Sequence, residues 1–133
     1  MSRLASTADL VAGRVADAYG GAPAAARTYL SDDLQLQLLV MAVRAPSPGL
    51  FVTSADAEEL GLAKPVEEVV VVGDVQCLVR NDVVPAGQTP GDARVQRCQR
   101  SGPALTVMVD PGMVPDVQGT AAIVDEVWSA LGG

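Results

Sequence analysis

Histidine is absent from the 133 residues of this chain. That removes the commonest general base, the commonest zinc ligand and the usual switch near neutral pH. Aromatic residues are scarce, with Tyr19, Tyr29, Phe51 and Trp128 the whole set. Surfaces that stack on sugars or bases have little to work with, and the core must be built from Val, Leu and Ala. Lys64 is the single lysine, and the formal net charge is −7. This balance argues against nucleic acid as a partner, because binding there is driven by Lys and Arg displacing counterions from phosphates. No window approaches ~18 uninterrupted apolar residues, and Met1-Ser2-Arg3-Leu4 does not lead into the apolar run of a signal peptide. The stretch therefore reads as soluble, without a membrane-spanning segment. It is equally compatible with the mature or trimmed part of an exported protein.

What is present is a chain 49% hydrophobic with positive mean hydropathy, enough for one domain with a single core and too short for two. Residues 1–133 are read as a single α+β domain. Its organising stretch is Val66 to Val109, where Val69-Val70-Val71-Val72, Val75 to Val79 and Leu105 to Val109 succeed one another. β-Branched runs favour extended structure, and three in succession suggest the middle of one sheet.

The preceding chain opens with an expected helix from Thr7 to Tyr19, capped by Ser6, with Leu10, Val11, Val15 and Ala18 as its apolar stripe and Gly20-Gly21 as its stop. Arg27 to Leu30 suits a short strand before a turn at Ser31-Asp32-Asp33. Leu34 to Arg44 is the clearest alternation, Leu34, Leu36, Leu38, Val40 and Ala42 sharing one face. Past Gln37 the other face is apolar too, through Leu39, Met41 and Val43, which places the strand near the sheet centre or under a partner. Pro46-Ser47-Pro48-Gly49 ends it. Leu50-Phe51-Val52 could pair back, and Ser54 is expected to cap a short helix ending at Gly61.

Gly73-Asp74 fits a two-residue hairpin turn and also a bulge in one continuous strand; the bulge is the reading adopted. Asn81 to Asp92 is rich in Pro and Gly and reads as an exposed loop. Arg94 to Arg100 is extended but polar on both faces, which suggests a sheet edge. Asp116 should cap a last helix with Ala121, Val124, Val127, Trp128 and Leu131 inward and Asp125 and Glu126 in water. The expected fold is α+β, a single mostly antiparallel sheet covered on one face by the N- and C-terminal helices.

Cys77 and Cys98 fall in neighbouring expected strands. A bond between them closes a loop of 22 residues counting both ends, worth roughly 3 kcal/mol in the chain-entropy description, and implies an oxidising compartment. The alternative is a pair of buried thiols in a cytoplasmic protein, acting as small hydrophobes. No Cys-x-x-Cys opens a helix, so a redox dithiol is not indicated. Arg80, Arg94, Arg97 and Arg100 form a candidate interaction edge, to be weighed against charges that guard an edge strand from aggregation. With Cys77 opposite Cys98, Leu78 would face Arg97 and Arg80 would face Val95, splitting the arginines between two faces. The acidic groups Asp32-Asp33, Asp56 with Glu58 and Glu59, and Glu67-Glu68 read as solvated turns and caps. No stretch has the oxygen spacing of a calcium loop, and no Gly-rich strand-to-helix turn or serine nucleophile motif occurs.

No catalytic residue, metal ligand or cofactor site is indicated. The picture is similar, by class only and with no site residue transferred, to exported accessory domains of cell-envelope proteins. The functional expectation is a non-catalytic extracytoplasmic domain, in the cell envelope or secreted, that binds another protein or envelope component. A homodimer is compatible with it. Two alternatives stay open: a carrier of a small apolar ligand between sheet and helices, suggested by Leu39, Met41 and Val43, and an enzyme using carboxylates alone.

Overall fold

The computed structural model describes residues 2–30, 37–50, 57–89, 91, 93–112 and 116–133. A helix, α1 (Ser2–Ala18), leads into β1 (Ala24–Leu30) and β2 (Gln37–Val43); a short α2 (Ala57–Leu60) precedes β3 (Glu67–Val72), β4 (Val75–Arg80), β5 (Arg94–Ser101) and β6 (Thr106–Asp110); α3 (Val117–Ala130) closes the chain. All strands pair antiparallel in one sheet of order β1-β2-β6-β5-β4-β3. The class is α+β, as expected.

Helix α1 begins earlier than its expected cap, so Ser6 lies inside it. Leu4 and Ala5 are good helix formers, and nothing in Ser2 to Ser6 breaks the hydrogen-bond ladder. Its end is a Schellman motif: the Gly21 N–H donates to Ala16 and the Gly20 N–H to Asp17, with Gly20 at φ 71°, a left-handed conformation that costs glycine little. Asp116 caps α3 by accepting from the Gly119 N–H. The turn at Ser31-Asp32-Asp33, the positions Leu34 and Leu36, Phe51-Val52 and the Ser54 cap lie outside the described residues.

The pleat separates the sheet into two differently covered faces. Leu38, Val107, Val109, Cys77 and Cys98 point to α3, whose Ala121 and Val124 are buried against them. Met41, Val43 and Met108 point the other way, to Val11 and Val15 of α1 and to Tyr19 just after it. The two terminal helices therefore cover opposite faces rather than the same one. The alternation is the reason: β2 is apolar on both sides past Gln37, and each side recruits its own helix.

Three further placements differ from expectation. The valine strand β3 lies at the rim, not in the middle, and the buried run Thr106 to Val109 takes the centre. Gly73-Asp74 is a two-residue hairpin turn, Val72 facing Val75 with Gly73 at φ 59°, because β3 and β4 are each long enough to pair once the chain reverses. The bulge falls instead between β4 and β5 at Leu78/Val79. Finally, β5 is interior, flanked by β6 and β4; Arg97, Gln99, Arg100 and Ser101 find partners within the molecule, while Arg94 and Gln96 are exposed.

Candidate functional site

Cys77 and Cys98 face each other across β4 and β5 and form a disulfide. Both are fully buried, at 0% exposure, in the cluster beneath α3. A thiol reagent has no route to these sulfurs in the closed fold, so the bond acts as a cross-link of the core.

The four arginines do not form one edge. As expected, Arg97 faces Leu78, but the bulge skips Gln96, so Arg80 faces Arg94 instead of Val95. Arg80 and Arg94 stand together, exposed, at the end of their strands. Arg100 lies on the α3 face, its guanidinium 4.6 Å from the centre of the Trp128 ring and paired with Asp125 at 3.0 Å and Asp74 at 3.3 Å. Arg97 lies on the α1 face and grips Asp110 with two bonds, Nε to Oδ1 at 2.6 Å and Nη2 to Oδ2 at 2.9 Å. The hydrogen bond to Asp110 raises the Arg97 pKa above its ordinary value, against the opposing cost of burial.

Polar residues of the same face bind a strap formed by residues 45–50, which crosses the sheet beside α1. Its backbone groups find partners in a row of side chains from three strands. Thr106 Oγ1 donates to the Ala45 carbonyl, Ser101 Oγ accepts from the Ser47 N–H, Gln99 Nε2 donates to the Pro48 carbonyl, and Gln76 Oε1 accepts from the Leu50 N–H. Pro46 and Pro48 prevent the strap from pairing as a strand, so side chains stand in for a neighbouring backbone. This explains the polarity of β5 that reads as an edge in sequence. The signal was available: a Pro-Ser-Pro-Gly segment needs partners for its carbonyls, and buried Gln99 and Thr106 supply them.

Between α1 and the sheet lies a cleft of about 390 Å³. One wall is Val11, Arg14, Val15, Ala18 and Tyr19; the floor is Leu39, Met41 and Met108, with the Arg97–Asp110 pair at its polar end. Tyr19 Oη, 2.6 Å from Ser47 Oγ, ties the helix end to the strap. Leu39 and Met41, singled out in the sequence for an unexplained apolar face, line this cleft; Val43 does not and packs into the core. A second depression, of about 490 Å³, lies on the far side of the strap, bordered by Ser47, Asp74, Gln76 and Ser101.

The chain matches no protein-family model, no curated protein and no solved structure. Its chemistry is therefore read from its own residues. Among the described residues no three acidic or cysteine side chains gather as metal ligands, and no helix is long and apolar enough to cross a membrane. In the cleft the carboxylate is Asp110, held by Arg97; in the depression it is Asp74, held by Arg100.

Proposed function

We propose that this chain is a non-catalytic binding domain that works outside the cytoplasm, in the cell envelope or after secretion, and receives a protein or envelope component. The observation that carries the location is the Cys77–Cys98 bond, seated at 0% exposure in the core, since cross-links of this kind persist in oxidising compartments. Binding is favoured over hydrolysis by the carboxylates: two-carboxylate chemistry needs a pair across one cleft, and Asp110 and Asp74 serve separate concavities, each neutralised by an arginine. The test is thiol titration of the natively expressed protein, denatured without reductant. No reactive thiol supports the reading, and two reactive thiols overturn its extracytoplasmic half.

A second reading, a carrier of a small apolar ligand, is favoured by the cleft beneath α1. Its volume of about 390 Å³ falls within the range of small-molecule sites, as does a mostly apolar wall with a few polar groups at one end. Native mass spectrometry of detergent-free protein discriminates the two. A co-purifying mass lost in a cleft-filling Ala18→Trp variant supports the carrier; an unladen wild-type protein that also fails to bind dodecanoate removes it.

A further inference from the structure

We infer that β3 is a self-association edge, at which two copies pair antiparallel about a twofold axis through Val69 and join their sheets into one of twelve strands. The argument starts at the hairpin. Val72 and Val75 flank a two-residue turn, so they form a hydrogen-bonded pair, and every second residue from Val72 also directs its backbone to β4. The Asn81 N–H donating to the Val66 carbonyl at 2.9 Å continues the same alternation. The N–H and C=O groups of Glu67, Val69 and Val71 therefore point away from the sheet, and among the described residues no strand pairs with that side.

This rim carries few of the devices that keep edges apart, its charges being Glu67 and Glu68 at one end. It carries no proline, no lysine and no bulge in its register, and Val71 is 63% exposed. The opposite rim, β1, differs: α1 packs along it and Arg27 stands at its middle.

The sequence of β3 is also complementary to itself. With Val69 opposite Val69 of the second copy, Glu67 faces Val71 and Glu68 faces Val70, so all three outward residues are paired and no glutamate opposes another. Moving the axis to Glu68 sets Glu68 against Glu68, a repulsion of like charges directly across a ladder. Moving it to Val70 leaves Glu67 opposite the turn residue Gly73. Charge and hydrogen bonding select the same register. Pairing β3 with itself closes after two copies, whereas β3 on β1 of another copy would propagate without end. Six residues of edge make a small interface, so the dimer dissociates on dilution.

The test is sedimentation velocity of the whole chain over a concentration series, with four variants. Wild type shifts from monomer to dimer as concentration rises. Val69→Pro, which removes the central N–H, and Val71→Glu, which sets a second carboxylate directly across from Glu67 of the other copy, each weaken the dimer about tenfold or more with an unchanged circular dichroism spectrum. Val69→Cys forms an interchain disulfide on oxidation, while Val71→Cys, whose counterpart is Glu67, does not. A wild type that stays monomeric throughout, a dimer insensitive to both edge variants, or cross-linking at position 71 equal to that at 69 overturns the inference.

Discussion

Reducing the Cys77–Cys98 bond is the perturbation whose size follows most directly from the fold. The two cysteines are separated by 21 residues, and closing a loop of this length removes unfolded-state entropy worth about 3 kcal/mol. For a domain of this size one kcal/mol moves the thermal midpoint by about 4 °C, so the reduced protein should melt about 12 °C below the oxidised one. Comparing oxidised and reduced wild type leaves both sulfurs in the core and avoids the cavity that alanines would introduce. In urea the reduced form should also unfold with a steeper dependence on denaturant, because its unfolded chain exposes more surface. The rate of reduction supplies a second readout. With both sulfurs at 0% exposure, dithiothreitol must wait for the fold to open, so native reduction should track unfolding and accelerate as urea is added. A midpoint shift below about 3 °C would refute the loop-closure reasoning. Native reduction as fast as that of an exposed peptide disulfide would refute the burial.

Thr106→Val replaces a fully buried hydroxyl that donates to Ala45 and lies 2.8 Å from Ser101 Oγ. It should cost about 1–3 kcal/mol and speed hydrogen exchange at the Ser47 amide, measured by NMR; unchanged exchange there would mean that the strap is held otherwise. Asp110→Asn breaks a two-bond pair whose side chains are 39% and 33% exposed, so about 1 kcal/mol is expected, shrinking in high salt. The folded pKa of Arg97 is raised, so its contribution is fully present below the unfolded guanidinium value and is lost only as pH climbs through the folded one. Denaturation midpoints of wild type and variant should therefore differ equally from neutral to mildly alkaline pH. Gly20→Ala forces a side chain into φ 71° and should cost about 1 kcal/mol by thermal melting, against no loss if α1 frays before Gly20 matters.

How far the sequence reached depended on whether a feature was set locally. Alternation, capping and stop residues concern a few neighbours, so β2, α3 with its Asp116 cap and the stop at Gly20-Gly21 were all legible, as was the facing of Cys77 and Cys98. Strand order was not, because it depends on which surfaces find a cover. Four valines look central by composition, yet β3 lies at the rim. Polar β5 looks peripheral and lies inside, because Arg97 has Asp110, Arg100 has Trp128, and Gln99 and Ser101 have the strap. The Arg80, Arg94, Arg97 and Arg100 group was visible as a cluster in the chain, but one skipped residue at the bulge decided which of them meet. The sequence by itself determined the α+β class, the facing of Cys77 and Cys98 and the apolar second face of β2, since these follow from residue type and spacing. Only the tertiary structure decided that α1 and α3 take opposite faces, that a cleft opens beneath α1 and that the valine edge stands unpaired among the described residues. Those are properties of surfaces meeting across long sequence separations, which no local pattern encodes.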